Sequence, residues 1–169
     1  LNEYNSSESN ILSVANNQRI LHHFLFGLDR EFENIDIADR PKTYFPHRTK
    51  TDLQYRFGDT VVNLDSMQIE IDLTIEYKGK IGVFEAKNGQ PDSFSVYQLY
   101  HPFLYYQKAK SVQGVGDKIK DVVCVYVVRR KEDGQSILSL WSYTFADIFD
   151  ITSIRLIKSI GYKLVGQHD

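Results

Sequence analysis

Ile69-Glu70-Ile71-Asp72-Leu73-Thr74-Ile75-Glu76, then Tyr77-Lys78-Gly79-Lys80, then Ile81-Gly82-Val83-Phe84-Glu85-Ala86-Lys87, is the stretch on which the reading of this chain turns. Apolar and polar residues alternate over Ile69–Glu76, the period of a half-buried β-strand. Lys78-Gly79 is a turn signal, and Ile81–Lys87 reads as the returning strand, closed by Asn88-Gly89-Gln90-Pro91. With a two-residue loop at Lys78-Gly79, Tyr77 pairs with Lys80, and the same register sets Asp72 opposite Glu85. A four-residue loop keeps that register, whereas a three-residue loop or a bulge shifts it. Period two then places Glu85 and Lys87 on the face of Asp72, with Glu70, Thr74, Glu76, Ile81 and Val83 around them. The opposite face carries Ile71, Leu73, Ile75, Phe84 and Ala86, an apolar set that packs on a core.

Outward from this hairpin, Ser6, Ser7 and Ser9 offer helix caps and Glu8 a first-turn acid. Ile11, Val14, Ala15, Leu21, Phe24, Leu25 and Leu28 recur at near-helical spacing, which predicts one helix from about residue 7 to 26. Residues 29–50, with Pro41 and Pro46, read as irregular, and Leu53–Phe57 and Thr60–Leu64 as short strands around Gly58-Asp59. Asp92 or Ser93 caps a second helix reaching about Lys110, which Pro102 is expected to kink or split. Val122–Val128 is a β-branched run suited to a central strand, and Asp133-Gly134 turns into Ile137–Tyr143. Phe145–Ile160 is predicted helical and Tyr162–Val165 a last strand. The coarse order α-β-β-β-α-β-β-α predicts an α/β domain with a mixed sheet.

The 169 residues, 42% hydrophobic and 13% aromatic, suit a single domain over 1–169 with one core. No apolar run approaches the ~20 residues of a membrane span, so no membrane association is expected. Leu1-Asn2-Glu3-Tyr4 is polar and shows no signal peptide; Leu1 is not a start methionine, which leaves room for a longer parent chain. Cys124 is the only cysteine and sits among valines, which excludes an internal disulfide and suits a reducing, cytoplasmic setting. Net charge is −2, but the distribution is uneven. Residues 1–39 hold seven acids and two bases, 40–56 five bases and one acid, and 108–131 seven bases and two acids. The two basic stretches read either as a phosphate-binding surface or as two solvated loops.

Directly opposed strand residues have Cβ atoms ~5 Å apart, where two like charges repel by roughly 3 kcal/mol at an effective dielectric of about 20. A divalent cation removes that repulsion and turns Asp72 and Glu85 into ligands. Hard oxygen donors with open water positions suit Mg²⁺, with Mn²⁺ able to substitute. Lys87 is then placed to hold a phosphate or to orient an attacking water. The alternative is that Glu85 and Lys87 are surface residues, with Lys87 paired across the hairpin to Glu70 in an exposed bridge worth about 0–1 kcal/mol.

At these residues the sequence resembles the PD-(D/E)XK nuclease superfamily, the restriction-endonuclease-like proteins that include type II restriction endonucleases and Holliday-junction resolvases. The family signature is an acid on one strand and Glu/Asp-X-Lys on the next; here Asp72 is followed, after twelve residues, by Glu85-Ala86-Lys87. The resemblance implies metal binding by Asp72 and Glu85 and a catalytic Lys87. It also implies a restriction-endonuclease-like αβββαβ core, matched over about residues 7 to 128, with an additional C-terminal hairpin and helix. Ile71 stands where the family often has proline, and Asp65 is a rival for the first acid. The function implied is Mg²⁺-dependent hydrolysis of DNA phosphodiester bonds by a type II restriction endonuclease or its catalytic domain. A Holliday-junction resolvase or DNA-repair nuclease is the second subtype. A non-catalytic DNA- or protein-binding module on the same fold is the rival from another class. Cutting both strands with one site per chain favours a homodimer or an additional domain.

By the same resemblance Glu8 is a further metal-ligand candidate, against a plain helix-terminus charge, and Gln98 a polar neighbour of the site, against an exposed helix residue. Asn88 either touches phosphate or serves the turn. Arg48, Lys50, Arg56, Lys118 and Lys120 are the candidate DNA contacts in the basic stretches. Tyr97, Tyr100, Tyr105 and Tyr106 flank Gln98 and read as bases' stacking partners or as packing. His22, His23, His47, His101 and His168 have no metal-ligand spacing and are assigned no chemistry. Gly114-Val115-Gly116 is a poor dinucleotide loop, since no clear strand precedes it and no helix follows.

Overall fold

A computed structural model of the protein describes residues 8–112, 114 and 116–165. Ser6, Ser7 and His168 fall outside the described residues. Six strands form the main sheet, in the order β1 (Lys42–Tyr44), β4 (Leu73–Tyr77), β5 (Lys80–Asn88), β6 (Asp121–Glu132), β7 (Gln135–Phe145) and β8 (Ile154–Leu164). A separate two-stranded arm pairs β2 (His47–Phe57) with β3 (Thr60–Ile71). β5 and β6 are parallel, joined by helix α3 (Val96–Ala109); the other strand pairs are antiparallel, and an isolated parallel bridge joins Arg56 to Asp150. The chain is thus a mixed α/β domain.

The hairpin register is the expected one, with Tyr77 paired to Lys80 and Leu73 to Phe84. Lys78 and Gly79 both take positive φ, 50° and 85°, as a two-residue turn between twisted strands requires. A Cβ on Gly79 would stand 2.6 Å from the Lys118 carbonyl oxygen, so the turn also needs the missing side chain.

β6 shows why the valine run is uninterrupted. Val123, Val125 and Val127 face helices α1 (Glu8–Asn17) and α2 (Ile20–Phe26), sharing a core with Ile11, Leu12, Phe24, Leu73, Phe84 and Ala86. Val122, Cys124, Tyr126 and Val128 face the other way, toward Leu99, Tyr100, Phe103 and Leu104 of α3 and Leu53 and Ile69 of the arm. A strand covered on both faces loses its polar alternation. Cys124 is wholly buried, and burial raises its thiol far above the ordinary range, so it is a small core residue.

Several expectations are corrected. The first helix is two: Arg19 takes φ 60° between α1 and α2, just after Asn16 and Asn17, whose side chains favour caps and turns over helix interior. The second helix runs through Pro102 without interruption, anchored by the buried Leu99, Tyr100, Phe103 and Leu104. The arm strands are longer than the short ones expected, and 29–50 contains two 3-10 turns and β1. Phe145–Ile160 is not a helix, so the extra C-terminal helix does not exist. The chain turns at 147–153, where Asp150 accepts hydrogen bonds from Thr152, and enters β8. Ile160, Tyr162 and Leu164 alternate onto the α1–α2 core, and that burial selects the strand.

Candidate functional site

The alternating run Ile69–Glu76 is two strands, not one. Ile71 ends β3, pairing with His47, and Leu73 begins β4. Ile71 therefore joins the core under α3 rather than the one beneath α1 and α2. Asp72 is the joint. Backbone pairing with β5 stops at Leu73–Phe84, and the Asp72 side chain reaches across instead: the Ala86 N–H donates to Asp72 Oδ2 at 3.3 Å.

Asp72, Glu85 and Lys87 meet at one cleft of about 270 Å³, walled by Met67–Glu70 of the arm and by Tyr97, Gln98 and His101 of α3. Glu85 is only 7% exposed. Lys87 Nζ donates to Glu85 Oε1 at 2.7 Å and lies 3.4 Å from Glu8 Oε1. Lys87 thus pairs with Glu85 and Glu8, while Glu70 pairs with Arg48 of β2 at 2.6 Å. The expected Lys87–Glu70 alternative is not the arrangement found.

Burial pushes the Glu85 carboxyl up to about 7, with the Asp72 charge adding and the Lys87 hydrogen bond opposing. Burial also raises Asp72, helped by the Glu8 charge, while the Ala86 amide, a hydrogen bond with Glu85 and the Lys87 charge pull it back. Burial disfavours the Lys87 ammonium, but the bonds and charges of Glu85 and Glu8 outweigh it and hold its pKa above the ordinary value. A cluster of three carboxylates around one ammonium is an acid-rich site that lacks positive charge.

Among the described residues no group of three or more His, Cys, Asp or Glu side chains is gathered to cage a metal ion. A closed all-protein site is therefore absent there. Asp72 and Glu85 fit the open kind, since Mg²⁺ takes one or two carboxylates and completes its shell with water and substrate phosphate.

The other candidates separate by position. Glu8 and Gln98 line the cleft. Asn88 ends β5 and is not among the lining residues. Asp65 lines a different groove on the arm, with Asp52 and Lys108. Arg48 and Lys50 are exposed on β2, whose partner strand walls the cleft. Arg56 is ion-paired with Asp147 at the far end of the arm. Lys118 and Lys120 sit by the Gly79 turn, where the Lys120 N–H donates to the Gly79 carbonyl at 2.8 Å. That is the opposite end of β5 from Lys87, roughly 20 Å away at strand rise. None of the five lines the cleft itself, although Arg48 is held by the cleft-lining Glu70, and Arg129 of the second stretch pairs with Asn88 beside Lys87.

Among the tyrosines, Tyr97 is exposed at the cleft, whereas Tyr100 is buried and donates to the Ile148 carbonyl at 2.9 Å. His101, assigned nothing from sequence, lines the cleft and bonds through Nε2 to the Tyr55 hydroxyl at 3.0 Å. Its signal was faint: on a helix, His101 lies one turn from Gln98 and shares its face. His22 is buried against Phe32 and His23 bonds Tyr162 at 2.8 Å, both away from the cleft.

Fold and site define a mixed α/β domain with a carboxylate pair and a lysine at the mouth of a parallel βαβ unit. The chain matches a domain of unknown function, DUF6997, over residues 1–163, and belongs to that family. No curated protein matches it.

Proposed function

We propose that the protein is a Mg²⁺-dependent endodeoxyribonuclease. The observation that carries this reading is the convergence of Asp72, Glu85 and Lys87 in one cleft, with Asp72 held by the Ala86 amide and Lys87 by Glu85. The order helix, strands, helix, strand over α1 to β6 supports a restriction-endonuclease-like core around that site.

In this reading Asp72 and Glu85 hold the metal, which when bound lowers the pKa of a coordinated water and offsets charge on the phosphoryl group. Lys87 leaves its carboxylate partners to hold a phosphoryl oxygen. Gln98, across the cleft on α3, orients the nucleic-acid strand, and the arm residues Met67–Glu70 close the side of the groove. Glu8 reaches the cleft from α1 and keeps Lys87 charged. The restriction-enzyme subtype rests on sequence resemblance, and the substrate decides it.

The test is incubation with duplex, branched and single-stranded DNA and with RNA, in Mg²⁺ and in EDTA, with Glu85→Ala as control. Cleavage that vanishes in EDTA and in the variant supports the reading, and the preferred substrate assigns the subtype. Intact substrates throughout, with Mg²⁺ or Mn²⁺, would remove it in favour of a binding module on the same fold.

A further inference from the structure

The row of side chains that contains Glu85 does not stop at β5. Glu85 pairs with Tyr126 on β6, and Tyr126 with Trp141 on β7, so the three stand side by side on one sheet face. Trp141 is two strand spacings, about 10 Å, from Glu85. Tyr143 follows on the same face of β7. Phe94, from the segment before α3, lies edge-on to Tyr126 at 4.9 Å between ring centroids and 5.4 Å from Tyr143.

These four rings, with Arg130 and Asp92, line a second cleft of about 380 Å³. That volume lies in the range of small-molecule sites, about 300–1,000 Å³. Phe94 is 39% exposed, so the rings are not simply core. Tyr126 is 4% exposed, yet its hydroxyl has no hydrogen-bond partner among the described residues, and neither does the buried Nε of Arg130. Buried polar atoms are nearly always paired. Both atoms are covered by the protein itself, so what the cleft presents to a ligand is its rings, Phe94 above all.

We infer that this cleft receives an unpaired nucleobase from the strand whose phosphate sits at Asp72, Glu85 and Lys87. The inference rests on the nuclease reading and narrows its substrate class. Aromatic faces stack on any base, and Phe94, Trp141 and Tyr143 offer such faces at the cleft. A base inside an intact duplex is stacked between its neighbours and reaches such a cleft only by leaving the helix. The preferred substrate is therefore a strand with an unpaired or extrahelical nucleotide beside the reacting phosphodiester.

Trp141 is the only tryptophan in the chain, so its fluorescence reports on this cleft alone. Oligothymidylate titrated in EDTA is expected to quench it to saturation. An abasic strand of the same length and charge is expected not to. Phe94→Leu and Tyr143→Ala should each weaken the quench titration about tenfold, as loss of one stacking partner does. Equal quenching by the abasic strand, no quenching by either, or unchanged affinity in both variants overturns the cleft, whatever cleavage shows. In Mg²⁺, a duplex carrying one unpaired nucleotide should be cut faster than its fully paired counterpart, and equal rates overturn the substrate preference. Base-dependent quenching with no cleavage of any substrate upholds the cleft as a nucleobase site and removes the nuclease reading.

Discussion

Lys87 Nζ stands 2.7 Å from Glu85 Oε1, two residues back on the same strand, so the lysine that would serve the phosphate is the counter-charge of a buried acid. Neighbours at that spacing point to one face of a strand. Here the geometry places an ammonium over a carboxylate whose pKa burial raises to about 7 even with the lysine pulling it down.

Lys87→Ala is the first consequence to test. It removes the only cation paired with Glu85 and Glu8 in the ion pairs described. Mg²⁺-dependent cleavage should fall at least about a hundredfold, the size of effect expected when one electrostatic stabiliser of a transition state is lost. Initial rates measured beside a thermal melt check it; a fold that survives with cleavage intact removes Lys87 from the chemistry.

Glu85→Gln should make the metal-free protein more stable above pH 7. Glu85 has a folded-state pKa of about 7 against an ordinary 4.5, so between those values the native state holds a proton the unfolded chain has lost. Stability then falls as pH rises through that window, by roughly 3 kcal/mol in full. Urea unfolding at pH 5 and pH 8 should show the wild type losing stability and Glu85→Gln losing less. Added Mg²⁺ should raise the wild-type midpoint and leave the variant's unchanged.

The register of the central hairpin was legible because Leu73, Ile75, Phe84 and Ala86 must all be buried, and a one-residue slip would expose them. The break at Asp72 was not, because the alternation of Ile69–Glu76 runs unbroken across it; only the pairing of Ile71 with His47 reveals that two strands meet there. β8 was misread because Ile154, Ile157 and Ile160 also recur every three residues, as on a helix, while Ile160, Tyr162 and Leu164 carry the strand period. Trp141 and Tyr143 could not be placed beside Glu85 at all without the strand order, since the nearer of them lies fifty-odd residues along the chain.

His22 gives the opposite pH dependence. Burial, with Arg19 adding to it, lowers this imidazole to about 4, and its Nδ1 has no hydrogen-bond partner among the described residues. Below pH 6.5 the unfolded chain takes up a proton that the native state refuses until about pH 4, so stability falls with acidification across that window, by roughly 3 kcal/mol in full. In His22→Phe, which keeps the edge contact with Phe32, unfolding midpoints measured from pH 7 to pH 4 should decline less steeply.

Tyr55→Phe should loosen the arm. The Tyr55 hydroxyl and His101 Nε2, 3.0 Å apart and buried, tie β2 to α3. Losing that bond and orphaning the imidazole should cost about 1–3 kcal/mol. Amide hydrogen exchange should quicken in His47–Ile71 more than in β6, and uniform change across both would argue against a local tie.

Asp72 lies between the last residue of an arm strand and the first residue of a sheet strand, and the same side chain supplies a carboxylate to the cleft. A substitution at this position therefore unpins a joint as well as removing the metal ligand that the nuclease proposal assigns to Asp72. A dead variant made there reports two losses as one, whereas Lys87, which ends in ion pairs alone, separates reactivity from architecture. The choice of where to break the site decides whether the experiment measures chemistry or mechanics.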